Sequence, residues 1–321
     1  MEQKMAVGKD LNQGANLPTV PGLLAMKRMN RTRFPLLCAG LVALLPGLFL
    51  VSCASRTARD PLPLKVMTYN IRIGIGGGEW HTDPQRITLE PVARLIEEYA
   101  PAIVGLQEVD QFRRRSGGMN QPAWMADRLG MNVAFAPAYT VPTGGPTDEH
   151  YGVALLTRAP ILPTQRVPLY KPDYRQSHPE YPDYYSEQRV LLVAPVKIGG
   201  RQIHVLVTHL GLTSDQRERQ VREIVATAAR LPGPKILLGD FNAGPDEPVL
   251  RELLGLFQDA LTVAGVAREA RKSYPGGLQP QEAIDYIFVS PEFRVRGARV
   301  LRDATLASDH NPVVAELELV D

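Results

Sequence analysis

Cysteine is almost missing from this sequence. Its 321 residues include two cysteines, Cys38 and Cys53, and both lie within the first 53 residues. The rest of the chain cannot form a disulfide, even in an oxidising compartment, so its stability must come from side-chain packing. Internal repeats and low-complexity tracts are missing too, which argues against a solenoid or a largely disordered chain. With 44% hydrophobic residues, the sequence indicates a globular protein with a substantial core.

The sequence also lacks an excess of acidic or of basic residues. The chain has 36 Lys and Arg against 34 Asp and Glu, and six of the basic and two of the acidic residues lie within residues 1–53. The remaining residues therefore carry 30 basic and 32 acidic side chains, a formal charge of −2. Such a balance lacks the electrostatic footprint of non-specific nucleic-acid binding.

Residues 1–53 have the order of an export signal. Four basic side chains between positions 27 and 33 precede an apolar run over residues 34–51. The run ends in Ser52-Cys53, which resembles a bacterial lipobox, so we expect Cys53 to be lipidated and to anchor the protein to a membrane of the cell envelope. Ala54 and Ser55 follow without an acidic residue, as in lipoproteins passed to an outer membrane. The alternative is an uncleaved membrane helix, because about 18 apolar residues can just span a bilayer; Pro46 argues against it.

After this signal peptide and N-terminal extension we expect a tether over residues 54–63 and one large domain over residues 64–321. Apolar alternation predicts strands at 64–70, 103–107, 133–136, 152–157, 189–196, 202–208, 236–239, 283–289 and 313–319. Helical spacing appears at about 84–99, 215–231 and 248–254. Many strands with few helices predict an α/β fold built as a four-layer α/β/β/α sandwich with two mixed β-sheets. A parallel doubly wound sheet would need a helix after nearly every strand, whereas 188–208 has the pattern of a hairpin.

Polar side chains stand where many of these strands end. Each is an ordinary turn residue by itself, and a lone histidine is usually structural. Together they supply carboxylate, carboxamide and imidazole groups at one rim of the fold, which indicates an active site. The candidates are Asn70, Glu108, His209, Asp240, Asn242, Asp285, Asp309 and His310.

These residues lie in six segments that resemble the signature set of the endonuclease/exonuclease/phosphatase superfamily. The segments, in order, are TYNI (68–71), QE (107–108), THL (208–210), GDFN (239–242), IDYIF (284–288) and SDHNP (308–312). The resemblance covers essentially residues 64–321. It implies the same four-layer sandwich and a metal-dependent hydrolase of phosphate esters.

Cleaving a phosphate ester requires an in-line water and stabilisation of charge on the phosphoryl oxygens, which suits a hard cation. Oxygen ligands from Asn70, Glu108 and Asp309 match Mg²⁺ or Mn²⁺ better than zinc.

The resemblance further implies roles for the other candidates. Asp240 would orient or deprotonate the attacking water, and Asn242 would hold a phosphate oxygen. His310 would bind or protonate the phosphoryl group, while Asp285 would fix its imidazole and raise its pKa. His209 would be a second phosphate contact.

Substrate contacts are less defined. Arg189 and Tyr139 are the candidates, with a surface position for Arg189 left open. A tyrosine-rich segment at 170–185 and the arginines at 113–115 are candidate substrate loops, against plain loop packing and a solvated charge run. We expect a monomer that acts on a lipid headgroup or a small phosphodiester. A membrane-tethered nuclease and a binding module without catalysis are the alternatives.

Overall fold

The computed structural model describes residues 60–81, 83–174, 186–303 and 305–320. The predicted signal, the lipidation site at Cys53 and most of the segment 170–185 lie outside these residues. Among the described residues no helix is long and apolar enough to cross a membrane. The first strand begins at Leu62, two residues earlier than the domain boundary expected at Leu64.

Two six-stranded mixed sheets form the centre of the fold. The first sheet has the order β11-β12-β1-β2-β4-β3 and the second the order β5-β6-β7-β8-β10-β9. The strands are β1 Leu62–Asn70, β2 Ile103–Gln111, β3 Asn132–Val141, β4 Glu149–Thr157, β5 Gln165–Pro168, β6 Val190–Ile198, β7 Arg201–His209, β8 Lys235–Asp240, β9 Gln258–Asp259, β10 Asp285–Val289, β11 Phe293–Val300 and β12 Val313–Leu319. The helices are α1 Glu90–Tyr99, α2 Gln121–Leu129, α3 Ser214–Ala229, α4 Pro248–Leu253 and α5 Ala260–Val263.

The core consists of three apolar clusters, and each lies between two layers of secondary structure. Three such clusters separate four layers, which confirms the predicted four-layer sandwich. Alternation along β1 explains the division, because successive side chains point to opposite faces of a sheet. Val66 faces the layer between the two sheets, and Met67 faces the layer beneath α1 and α2. A third layer, which includes Leu206 and Ile224, lies between the second sheet and α3. Each sheet therefore has one face against the other sheet and one against helices.

The strand directions bring the polar candidates to one rim. β1 and β2 are parallel, as are β7 and β8, so Asn70 and the pair His209 and Asp240 lie at carboxyl ends. β10 is antiparallel to β8 and places Asp285 opposite Asp240. The expectation that Asp285 and His310 end their strands was wrong: Asp285 begins β10, and His310 precedes β12. They reach the same rim because both strands are antiparallel to their neighbours.

A bulge in β2 directs Glu108 into this rim. The pairing of β2 with β4 shifts register between Leu106 and Val109, and Glu108 adopts a φ of 54°. Left-handed backbone in a residue other than glycine costs on the order of 1–3 kcal/mol and is concentrated at functional sites.

Sequence patterns missed several elements and merged others. The expected helix at 84–99 is a 3₁₀ turn, Pro84–Arg86, followed by α1. Helix α2 was not predicted, although its cap Asn120 and the left-handed Gly130 after it are ordinary helix signals. The strands β5 and β9 and the helix α5 were also missed, because they have at most four residues. The edge strand β11 was missed although its first four residues, 293–296, alternate between apolar and charged side chains.

Candidate active site

The polar rim surrounds a cleft of about 740 Å³. Seven of the predicted site residues line it: Glu108, Arg189, His209, Asp240, Asn242, Asp309 and His310. Asn70 and Asp285 are buried next to it, where they contact the lining residues. The structure therefore brings together side chains from both sheets that are up to 240 positions apart in sequence, as between Asn70 and His310.

An ionic chain connects Asp285, His310 and Asp240. His310 Nδ1 donates to Asp285 Oδ2 at 2.8 Å, and His310 Nε2 lies 3.7 Å from Asp240 Oδ2. Burial opposes a charge on the imidazole, but Asp285 and Asp240 outweigh it and raise the pKa of His310 to about 10. The predicted pairing of Asp285 with His310 is therefore present, and His310 is protonated at neutral pH.

Asp240 is a carboxylate held near its point of ionisation. Burial and the negative charge of Asp285 raise the pKa of Asp240 to about 7, although His310 and hydrogen bonds from Asn242 and Asn70 oppose the shift. At neutral pH a base with such a pKa is partly deprotonated, and it is also basic enough to accept a proton from water. The geometry thus supports the predicted role of Asp240 beside water.

His209 is neutral, unlike His310. Burial, followed by the positive charges of Arg189 and His310, holds the pKa of His209 well below its usual range. Both ring nitrogens of His209 face donors, because Arg189 Nη1 lies 3.0 Å from Nδ1 and Asn242 Nδ2 lies 3.1 Å from Nε2. Asp240 Oδ2, an acceptor, lies 3.4 Å from Nε2, so we assign the proton of His209 to Nε2. The neutral N–H of His209 therefore faces Asp240 at the cleft.

Asn70, Glu108 and Asp309 were predicted to bind a metal. Asn70 Nδ2 donates to Glu108 Oε1 and to Asp240 Oδ2, both at 3.0 Å. Burial and the negative charge of Asp309 raise the pKa of Glu108. The raised pKa of Glu108 means that the surrounding side chains do not offset the charge of its ionised carboxylate. A divalent cation, which prefers oxygen ligands, would supply that positive charge.

Two details qualify this ligand set. Asn70 Oδ1, the atom that would bind a cation, accepts a hydrogen bond from the backbone N–H of Arg72. The amide nitrogen Nδ2, not Oδ1, faces Glu108, so binding a cation beside Glu108 requires the amide to turn over and to give up its hydrogen bond from Arg72. Asp309 Oδ2 forms an ion pair with Arg72 Nε at 3.0 Å, so Arg72 competes with a cation for this carboxylate.

Asp240, Asp285 and His310 form a second group with the composition of a metal site. Each offers one donor atom, and the three atoms lie within 4.8 Å of one another. The same two carboxylates raise the pKa of His310 to about 10, however, so both imidazole nitrogens carry protons. A metal bound by these three side chains would have to displace a proton from the imidazole, which the raised pKa of His310 opposes.

Ser273 and Arg72 were not predicted from the sequence. Ser273 is fully buried, and its hydroxyl donates to Asp285 Oδ2 at 2.6 Å, the same oxygen that accepts from His310. No motif marked this serine, because it lies in a loop 12 residues before its partner. Arg72 follows the TYNI segment by one residue, and that proximity was the one available signal.

Of the candidate substrate contacts, Arg189 lines the cleft and is 5% exposed, so it is not a surface residue. Its Nη2 lies 3.2 Å from Glu187 Oε2. Tyr139 does not line the cleft; it packs against Tyr151, which does, with ring centroids 5.3 Å apart.

Of the arginines at 113–115, Arg115 alone lines the cleft, and it forms a bidentate pair with Asp110. Arg113 and Arg114 instead form ion pairs with Glu149. Arg113 and Arg115 hold the loop to the sheet, whereas the Arg114 side chain is 87% exposed, as expected for a solvated charge.

Comparison with known proteins gives consistent results. The chain matches the Endonuclease/Exonuclease/phosphatase family over residues 67–310. The uncharacterised protein YbhP of Escherichia coli K12 is 26% identical over 271 residues, which cover 79% of this chain and 96% of that protein. A solved endonuclease/exonuclease/phosphatase from Beutenbergia cavernae is 24% identical, with a TM-score of 0.58 over 80% of this chain and 72% of that chain. A family protein from Bacteroides thetaiotaomicron gives a TM-score of 0.62 at 21% identity, covering 81% and 99%.

At these identities the solved structures show a shared fold, while the family match extends across the residues of the cleft from Asn70 to His310. Members of the family hydrolyse phosphoric esters, and this chain is a hydrolase of that type. Its sequence match, its two-sheet sandwich and the site at the rim lead to one assignment: the chain belongs to the endonuclease/exonuclease/phosphatase family.

Proposed function

We propose that this protein is a Mg²⁺-dependent phosphodiesterase that acts on a lipid headgroup or another small phosphodiester at the cell envelope. The observation that carries the proposal is the pairing of a carboxylate with a pKa of about 7, Asp240, with a protonated imidazole, His310, 3.7 Å away in one cleft. A base and an acid with pKa values displaced in this way are the two partners that ester hydrolysis requires.

Each side chain of the cleft has a distinct role in the proposed hydrolysis. Asp240 accepts the proton of a water positioned for in-line attack on phosphorus. His310 donates a hydrogen bond to a phosphoryl oxygen and stabilises its growing negative charge, while Asp285 and Ser273 hold the imidazole in place. The N–H of His209 contributes a second, neutral contact.

Glu108, Asp309 and, after an amide flip, Asn70 would hold the cation. When bound, Mg²⁺ or Mn²⁺ would offset charge on the phosphoryl and leaving oxygens. The oxygen-only donor set favours these hard ions over zinc.

The charge of the cleft favours a diester over a monoester. Its lining contains five carboxylates, on Glu108, Glu187, Asp240, Glu282 and Asp309. Its two arginines are already paired, Arg115 with Asp110 and Arg189 with Glu187. A diester carries one negative charge and a monoester nearly two. With both arginines of the lining already paired, protonated His310 is the cationic side chain of the lining that remains to meet the phosphate, which suits a monoanion better.

We also propose that the protein is exported from the cytoplasm and lipidated at Cys53. Strand β1 runs from Leu62 toward the cleft and ends at Asn70. At about 3.3 Å per residue, its start lies roughly 26 Å from the catalytic rim. The proposed anchor therefore joins the domain at the end remote from the cleft, and residues 54–61, at about 3.5 Å per residue, are long enough to let the cleft face the same membrane.

The deciding experiment compares bis-(p-nitrophenyl) phosphate, p-nitrophenyl phosphate and single-stranded DNA as substrates, with and without Mg²⁺. We expect Mg²⁺-dependent release of p-nitrophenol from the diester, at a rate at least tenfold above that from the monoester, and none from Asp240→Asn. Preference for the monoester would refute the diester assignment. Preferential cleavage of DNA would support the nuclease alternative, and inactivity on all three would support a non-catalytic binding module.

A further inference from the structure

Exposed apolar side chains are concentrated beside the catalytic cleft. Five large apolar side chains are exposed among the described residues: Trp80, Leu254, Val263, Leu278 and Leu306. Three of them, Trp80, Leu278 and Leu306, lie on three loops that contact one another, and we call these three the apolar rim. Of the three, Trp80 lines the cleft, and Leu306 lies three residues before Asp309 of the lining. Exposed single apolar residues are common, but a cluster next to a site indicates binding.

Backbone contacts hold the three loops together. The Gly77 N–H donates to the carbonyl of Leu306 at 2.8 Å, and the Asn311 side chain exchanges two hydrogen bonds with the backbone of Gly277. Glycine is required for this approach: a methyl group on Gly77 would lie 2.9 Å from Leu306 Cβ, and one on Gly277 would lie 2.8 Å from Leu306 Cδ2. Leu278 is the next residue after Gly277. The side chain of Leu306 thus rests on two glycines and remains 42% exposed.

Leu306 also adopts an unfavourable backbone conformation. Its φ is 53°, in the left-handed region that favours glycine or asparagine. Asparagine or glycine would adopt this backbone conformation at lower cost, and the leucine buries only part of its side chain against the two glycines. A strained residue whose apolar side chain remains exposed suggests a functional reason for that side chain.

The apolar rim is continuous with the reacting groups. Trp80 lines the cleft, 53% exposed, and the guanidinium of Arg72 lies 5.7 Å from its ring centroid. Arg72 in turn pairs with Asp309 at 3.0 Å, beside His310. A molecule whose phosphate reaches His310 would place its adjoining part against Trp80.

The chemistry of the rim selects one occupant. Trp80 is the one ring of the rim on which a base could stack, and Leu278 and Leu306 beside it are aliphatic and offer none. A nucleic-acid strand also needs a cationic track, and the two arginines of the lining, Arg115 and Arg189, are neutralised by their acidic partners. Tryptophan beside aliphatic side chains is instead typical of the boundary between lipid headgroups and acyl chains.

We propose that the apolar rim docks on a lipid surface, so that the cleft receives a phosphodiester from the headgroup layer. The substrate class rests on the proposed function, whereas the docking can be tested without catalysis. The chain has two tryptophans, and Trp124→Phe leaves Trp80 as the one fluorescent reporter. The test uses the full chain and vesicles of phosphatidylcholine, with and without brominated acyl chains.

We expect the emission of Trp80 to shift to shorter wavelength on vesicles and to be quenched by brominated lipid. Leu278→Ser combined with Leu306→Asn should reduce this quenching at least tenfold at the same lipid concentration. The same double variant should hydrolyse bis-(p-nitrophenyl) phosphate within about twofold of wild type. Leu254→Ser combined with Val263→Ser removes two equally exposed side chains outside the rim and should change neither measurement.

Unquenched Trp80 in the parent chain would overturn the docking, as would equal loss of quenching in the control pair. Quenching of Trp80 by single-stranded DNA but not by brominated lipid would overturn it in favour of nucleic acid. If the parent chain docks but hydrolyses no phosphodiester, the proposed function fails and the docking surface stands.

Discussion

Replacing Asp285 by asparagine should move both limbs of the pH–rate profile of this enzyme toward lower pH. The wild-type rate should rise as Asp240 loses its proton near pH 7 and fall as His310 loses its proton near pH 10. Asp285 raises both pKa values, because its negative charge repels ionised Asp240 and attracts protonated His310. Removing that charge lowers both.

The size of the shift follows from the distances. His310 Nδ1 lies 2.8 Å from Asp285 Oδ2, and donor atoms of Asp240, Asp285 and His310 all lie within 4.8 Å. Two unit charges about 4 Å apart interact by about 4 kcal/mol at an effective dielectric constant near 20. That energy corresponds to about 3 pKa units. We expect each limb to move by about 2 to 3 units, so the optimum moves below about pH 7.

The assay measures kcat on bis-(p-nitrophenyl) phosphate from pH 4 to pH 11, at one saturating Mg²⁺ concentration for both proteins. The turnover at the new optimum should also fall by a factor on the order of 10² or more, because the imidazole loses the partner that orients it. Asp259→Asn is the control: this buried carboxylate lies on neighbouring β9 and caps α5. It should leave both limbs in place.

Three results would refute the reasoning. An unchanged profile would mean that Asp285 does not influence the reacting groups. A shift of either limb to higher pH would have the wrong sign for the loss of a negative charge. An equal shift in Asp259→Asn would assign the effect to net charge, not to contact with His310.

Four other outcomes are expected. Asp240→Asn and His310→Ala should each lower turnover by a factor on the order of 10² or more with unchanged circular dichroism, and near wild-type rates would remove their catalytic roles. EDTA should abolish activity and Mg²⁺ or Mn²⁺ restore it, with Glu108→Gln raising the metal concentration at half-maximal activity; full activity in chelator contradicts the metal assignment. Ser273→Ala should lower kcat more than it changes KM, whereas Ser273→Thr should retain most of kcat, and equal losses would indicate a structural role alone. Cys53→Ser should yield an active protein without acyl chains, checked by mass spectrometry of the N-terminus; a wild-type terminus other than acylated Cys53 would exclude the anchor.

Local patterns were sufficient to identify most strands and the residues of the rim. Strand β12 was predicted with its observed bounds, and β1, β6, β7 and β8 to within two residues. Most of these strands are buried on both faces, so short runs of apolar and β-branched residues mark them in the sequence. The candidates from Asn70 to His310 could be named because turn residues and reactive groups coincide in short segments.

Sequence alone also determined the architecture, since few helices among many strands leave two packed sheets as the stable solution. It could not determine strand direction. The rim was predicted as a set of strand ends, yet Asp285 and His310 belong to strand beginnings, and pairing with β8 and β1 decides where they lie.

Tertiary structure alone decided the chemistry of individual groups. Asp240 and Asp285 have the same side chain, yet burial beside Asp285 places the pKa of Asp240 near 7. Burial lowers the pKa of both His209 and His310, but Arg189 adds to that shift at His209, whereas Asp285 and Asp240 outweigh it at His310. Electrostatic energies depend on distances between residues remote in sequence, and those distances exist only after the two sheets have packed.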